Sequence, residues 1–242
     1  MTLNDFGNIW CLHCIEDLDR YENTLKQFSK VSILEKVQYS IASKYPDVGL
    51  KNNTINGVPK YTQIKSDALY HCTREHYNMI NISYNKGHNH ILIFEDDCQI
   101  INKNYFDILM NNIPDDFDII LFKYMFIEEH NEVSIMKENY EKFKNGIYYI
   151  LTNNCYWSTG SYALSRRGME YYMNYVKEHK FGCVADLPFG SRDFKDTNLK
   201  FYISSIPLLY DDNFPSTLNN IKYNISQIYE DAGLTKEMYY EE

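Results

Sequence analysis

Three consecutive acids, Glu95-Asp96-Asp97, follow the short apolar run HILIF (90–94). Carboxylates crowded at the end of a buried strand repel one another. A hard divalent cation, completed by diphosphate oxygens and water, is the simplest compensation. In open α/β sheets ligands bind beyond the carboxyl ends of the strands, which is where these acids fall. Acids after a strand also cap the next helix or stand in solvent, and spacing alone favours that plainer reading. The order of apolar strand, acid-x-acid and further apolar residues at Ile100 and Ile101 adds weight to a metal and diphosphate site.

A second candidate is IWCLHC (9–14), which sets a Trp before Cys11 and Cys14 in the spelling of a thioredoxin-like redox pair. Such a pair needs the start of a helix that follows a strand, because the helix N-terminus lowers the thiol pKa. Residues 9–12 read instead as a strand with too little chain before it for a βαβ unit, and positions three apart in a strand face opposite ways. No second CxxC or HxxxH pair at usable spacing completes a zinc site. The six cysteines, at 11, 14, 72, 98, 155 and 183, are scattered singly and read as buried free thiols.

The elements that would position the acids alternate. After the first strand, DLDRYENTLKQF reads as an amphipathic helix through Leu18, Leu25 and Phe28 with Asp17 as cap. Residues 31–41 suggest a second strand, and 46–63 a loop rich in Pro, Gly and Asn. SDALYHCTREHYNMI spaces Leu69, Cys72, His76 and Met79 as a helical stripe behind Ser66. HILIF, the helix NYFDILMNNI (104–113) and the strand DIILF (118–122) follow. The second half offers strands at 146–151, 161–164 and 199–204, a helix over RRGMEYYMNYVKEH, and loops near 185–196 and 207–220. Alternating helices and buried strands predict an α/β fold, a mostly parallel sheet with helices on both faces.

Composition bounds the rest. The chain has 242 residues, 44% hydrophobic and 16% aromatic, enough for one sizeable core and against disorder. With 24 Lys and Arg against 33 Asp and Glu, the net charge is −9 and no basic stripe tracks a phosphate backbone, so nucleic acid is not expected as a partner. No long apolar run or signal-like N-terminus appears, which predicts a cytoplasmic protein without a transmembrane segment, working in solution or peripherally at an inner membrane face. The Asn, Ile, Lys and Tyr bias suggests an AT-rich genome, fitting a low-GC bacterium or a virus alike.

Taken in order, the landmarks resemble glycosyltransferase family 25, the lipooligosaccharide and collagen-type galactosyltransferases. IWCLHCIEDLDRYENTLKQF resembles the family's opening strand and charged run with Arg20. ALYHCTREHYNMI resembles the helix bearing a Ser-His pair, with His71 kept and Tyr70 in place of Ser. HILIFEDDCQI resembles the strand with its Glu-Asp-Asp, TGSYALSRRGMEYYM the Gly-x-Tyr-x-x-Ser-x-x-Gly segment, FGCVADLPF the Asp-bearing loop, and FYISSIPLLYDDNFPSTL the closing segment. The resemblance spans roughly residues 8–218; His13-Cys14 replaces the usual Asn-Leu.

The resemblance implies a GT-A fold over residues 1–220, with a Rossmann-like nucleotide-binding half and an acceptor-binding half, and a helical extension over 221–242. It implies inverting transfer of a hexose, galactose or glucose, from a UDP-sugar to a glycan, lipid-linked or protein hydroxyl, assisted by Mn²⁺ or Mg²⁺. Asp97 is then the direct metal ligand with Glu95 as the second metal residue, Glu95 facing the ribose or a metal-bound water, and Asp96 joins the donor-binding set as the most expendable of the three. Arg20 meets a phosphate, or only an acid of its own helix. His71 orients a phosphate or acceptor, or is a hydrogen-bonded core residue. Asp186 is the leading base, or else a cap or loop carboxylate. Tyr162 and Ser165 pack beneath the acceptor loop, and Asp211 and Asp212 complete the metal shell or stand in solvent. Two other readings stay open: a catalytically silent relative that binds a glycan or protein, and a metal-dependent phosphohydrolase.

Overall fold

A computed structural model describes residues 1–42, 67–100, 103–123, 125–126, 140–142, 147–151, 156–190, 198–204 and 208. Strand β1 (Asn8–Cys14) leads into helix α1 (Leu18–Lys30), β2 (Val37–Ala42), α2 (Asp67–Asn85), β3 (His90–Glu95), α3 (Lys103–Asn111) and β4 (Ile119–Leu121). Then come β5 (Met125–Phe126), β6 (Tyr140–Lys142), β7 (Tyr148–Leu151), β8 (Tyr156–Trp157), β9 (Ser161–Ser165), α4 (Arg166–Glu178), the short helix α5 (Leu187–Gly190) and β10 (Phe201–Ser204).

Eight strands form one sheet in the order β2-β1-β3-β9-β4-β10-β7-β6, and β5 pairs with β8 apart from it. The pairs β1/β2, β1/β3 and β4/β10 are parallel, whereas β9 runs antiparallel to both its neighbours. With β7 also reversed against β10 and β6, the other six strands share one direction, so the expected mostly parallel α/β sheet holds in strand sense. The reversal of β9 matters for the site. It brings the start of that strand, Thr159 to Tyr162, beside the carboxyl ends of β3 and β4.

Strand alternation sorts the apolar residues into two layers. Trp10, Leu12, Ile91, Ile93, Tyr162 and Leu164 pack with Met79 and Ile80 of α2 and Met169, Tyr172 and Val176 of α4. On the other face Ile9, Cys11, Leu92, Phe94 and Ala163 pack with Phe28 of α1 and Phe106, Leu109 and Met110 of α3. Helices thus cover both faces, which is why HILIF reads as continuously apolar. Among the described residues no helix is long and apolar enough to cross a membrane.

The expected strand over 31–41 is shorter than its apolar pattern. Val31 and Ile33 are buried, yet a 3₁₀ turn at Leu34–Lys36 intervenes and pairing begins only at Val37. Ser32 takes φ 60° as the chain leaves α1, and the Ile33 N–H closes onto the Phe28 carbonyl. Those two side chains seal the base of the layer under α1 without joining the sheet. Burial, not pairing, produced their pattern.

Helix α4 begins with a cap that also locks the sheet. Ser165 Oγ accepts from the Gly168 N–H at 3.2 Å and donates to Asp118 Oδ1 at 2.9 Å. A Cβ at Gly168 would run into the Asp118 backbone carbonyl, which cannot swing away as a side-chain tip could. Alanine favours a helix over glycine by about 1 kcal/mol, but overpacking against backbone costs about 1–3 kcal/mol and blocks the cap. Gly168→Ala is therefore expected to lower stability by about 1–2 kcal/mol net. A urea midpoint at or above wild type would contradict this.

Candidate functional site

The carboxyl ends of β1, β3 and β4 lie together, and the three acids take different partners there. Glu95, the last residue of β3, turns toward α2, and Asp96, in the turn that follows, toward α1. Asp96 is buried. It accepts from Arg20 Nη1 at 3.0 Å, His13 Nδ1 at 2.9 Å and the Cys14 N–H at 2.8 Å. Whatever part Asp96 has in ligand binding, it is a structural residue. It fastens the end of β1 and the first turn of α1 to the end of β3, and its oxygens are taken up in doing so.

Asp97 turns over the end of the strand between two cations, Lys123 Nζ at 3.3 Å and Arg20 Nη1 at 3.9 Å. Its side chain is 13% exposed against 5% for Asp96. Lys123, just past β4, is itself buried. Its stem crosses Gly160, where any Cβ would strike it, so the glycine makes room for the lysine to reach Asp97. Arg20 meets Asp96 of β3 more closely than Asp17 of its own N-cap, 3.0 Å against 3.8 Å.

Glu95 accepts from His76 Nε2 at 3.1 Å and from Thr159 Oγ1 at 2.5 Å. Burial opposes its charge, but His76, Lys123 and Thr159 outweigh that and hold the carboxyl down to about 2. The far side of the fully buried His76 ring is held by Tyr162, whose hydroxyl lies 2.8 Å from Nδ1. With Glu95 ionised, Nε2–H donates to its carboxylate, and the Tyr162 hydroxyl, kept protonated by burial, can donate to or accept from Nδ1.

The Asp-bearing loop closes the same corner. Thr73 of α2 donates to the Cys183 carbonyl at 2.9 Å, Tyr172 of α4 to the Ala185 carbonyl at 3.0 Å, and Phe189 packs on Tyr162 with ring centroids 4.9 Å apart. Asp186 precedes α5, whose Phe189 and Gly190 N–H groups bond its backbone carbonyl. Burial pushes its carboxyl up to about 6, its own backbone N–H offsets part of that, and the Glu95 charge adds to it.

The structure thus brings together Arg20, Glu95, Asp96, Asp97 and Asp186. Both His71 ring nitrogens are buried with no hydrogen-bond partner among the described residues, so the hydrogen-bonded core role is not seen. Asp211, Asp212, the Ser66 cap, the loop over 46–63 and the extension over 221–242 lie outside the described residues. Sequence reasoning missed His76, Cys72, Lys123, Thr159 and His13. The i,i+4 spacing of Cys72 and His76 was legible but read as a core stripe, and a lysine directly after a buried strand was a signal left unused.

The opening cysteines carry no redox chemistry here. Cys11 lies in the layer under α1 and α3, while Cys14, at the exposed end of β1, donates to Glu16. Burial pushes the Cys11 thiol well up, and burial with the Glu16 bond pushes Cys14 up to about 12, the reverse of a reactive pair. Among the described residues no cysteine is in a disulfide.

No family model matches the chain, and no curated protein matches it. Among solved structures, it is similar to mannose-1-phosphate geranyltransferase from Thermus thermophilus, with 7% identity over 84% of this chain and 74% of that one and a TM-score of 0.41. It is also similar to A197 from STIV, with 11% identity over 81% of this chain and 80% of that one and a TM-score of 0.39.

Proposed function

We propose that the protein is a family 25-like glycosyltransferase that moves a hexose from a UDP-sugar to a hydroxyl of a glycan, lipid-linked or protein acceptor, with inversion. The observation that carries this reading is the convergence, beyond the carboxyl ends of β1, β3 and β4, of Asp97 with the buried cations Arg20 and Lys123, together with an Asp186 carboxyl near Glu95 that burial raises to about 6. Two fixed cations in a dry corner suit a diphosphate, whose negative charge grows as the sugar departs. Asp186 suits the base that takes the acceptor's proton on the opposite side, because a base works best when its pKa lies near the working pH.

A hard divalent ion, Mn²⁺ or Mg²⁺, fits Asp97 better than its neighbours. Asp97 offers oxygen, is less enclosed than Asp96, and is held by Lys123 and Arg20, cations that a diphosphate could engage in its place. Such an ion, when bound, supplies Lewis-acid stabilisation of the leaving UDP. Arg20 and Lys123 bind and orient the phosphates, Asp96 keeps Arg20 in place, and the Tyr162–Phe189 ring contact anchors the short helix that follows Asp186.

A silent, ligand-binding relative is favoured by one observation: each of the three acids already has a partner within the chain, so no charge is left demanding an ion. UDP release from a panel of UDP-sugars, with Mn²⁺ and with chelator, separates the two. The transferase reading expects release from one donor that chelator stops and Asp97→Ala abolishes. No release from any donor, together with no UDP binding, overturns it.

A further inference from the structure

Cys72 and His76 lie four residues apart on α2, one above the other on the face turned to the end of β3. Cys72 Sγ, a His76 ring nitrogen and a Glu95 carboxylate oxygen all lie within 4.8 Å of one another. We propose that these three side chains form a binding site for a borderline transition-metal ion, Zn²⁺ by preference, distinct from the hard-ion position at Asp97.

The donor set decides the metal class. Sulfur, imidazole nitrogen and one carboxylate oxygen suit Zn²⁺ or Co²⁺, whereas Mg²⁺ and Mn²⁺ seek oxygen. Zn²⁺ with one thiolate, one carboxylate and a neutral imidazole is a neutral unit, which a buried corner tolerates where separate charges are costly. Three protein ligands leave the fourth tetrahedral position for a water or a substrate atom.

The surroundings are those of a ligand set. A metal-bound histidine is fixed by a hydrogen bond at its other nitrogen. Tyr162 supplies it, since its hydroxyl accepts from Nδ1–H as readily as it donates to Nδ1. On binding, Nε2 gives up its proton to face the ion and the Cys72 thiol loses its own, so binding releases protons. Thr159 steadies Glu95 from the opposite side. Burial and the nearby acids push the Cys72 thiol up, a cost that coordination by a cation offsets.

Co²⁺ titration of the metal-stripped full chain tests the site. The expected result is one equivalent bound, with tetrahedral ligand-field bands and a sulfur-to-cobalt charge-transfer band, both bleached by Zn²⁺. Cys72→Ser removes the charge-transfer band while circular dichroism stays native, and Asp97→Asn keeps it. Charge transfer that survives Cys72→Ser overturns the proposal. So does Co²⁺ bound without that band and lost in Asp97→Asn, which puts the ion at the hard site and leaves the transferase reading intact. Absence of Co²⁺ binding by the folded wild type overturns it as well.

Discussion

Asp96→Ala is expected to destabilise the protein by about 3–5 kcal/mol, the cost of removing one partner from a buried ion pair. Arg20 stays buried and loses its closest carboxylate, with Asp17 at 3.8 Å and Asp97 at 3.9 Å as weaker substitutes. His13 and the Cys14 N–H lose their acceptor in the same step. Each hydrogen-bonding group left unsatisfied in a buried place adds its own desolvation penalty. Asp96→Asn keeps the shape and one acceptor oxygen but aims an NH₂ at donors, so it falls between alanine and wild type. Urea unfolding reads the effect as a lower midpoint with an unchanged m value. Asp19→Ala, at an exposed position on the same helix, stays within about 0.5 kcal/mol. A loss below about 1 kcal/mol in Asp96→Ala would mean that Asp96 is expendable after all.

That result bears on how adjacent acids should be read. In a sequence, Glu95-Asp96-Asp97 looks like one charge cluster awaiting one ion. Extended chain turns neighbours to opposite sides, and Glu95 at the end of β3 and Asp96 just past it do face different helices. Period two pointed to that split. What was not legible is who waits on each side. Arg20 lies 76 residues from Asp96 and Thr159 lies 64 residues from Glu95, and only the fold brings them together.

The elements themselves were more legible than the site. HILIF, DIILF and RRGMEYYMNYVKEH carry burial patterns that allow one structure each, and they appear at His90–Glu95, Ile119–Leu121 and Arg166–Glu178. The reversal of β9 left no mark on its own residues, because SYALS is buried on both faces whichever way it runs. Yet that reversal delivers Thr159 to Glu95 and Tyr162 to His76. Topology, set by long-range packing, is thus the part of the site that local pattern could not supply.

Asp186→Asn is expected to lower kcat for sugar transfer by about 10²- to 10⁴-fold, the usual contribution of a positioned general base. UDP binding should stay near wild type, since Arg20 and Lys123, the cations proposed to meet the phosphates, are untouched. The pH profile supplies the second readout. A carboxyl raised from 3.8 to about 6 is protonated, and useless as a base, below that point. The kcat/KM of the wild type should therefore fall tenfold for each pH unit below about 6. An ordinary aspartate would hold activity down to about pH 4. The same shift carries a stability cost with the opposite slope. The folded state holds this proton more tightly than the unfolded chain, so its contribution favours the fold at low pH and is lost as pH rises from about 4 through about 6. Asp186→Asn, uncharged throughout, escapes that loss and should be at least as stable as wild type at pH 7. An inactive variant that is also more stable marks a residue kept for chemistry. An acid limb near pH 4, or transfer within a few-fold of wild type in Asp186→Asn, would remove Asp186 from the role of base.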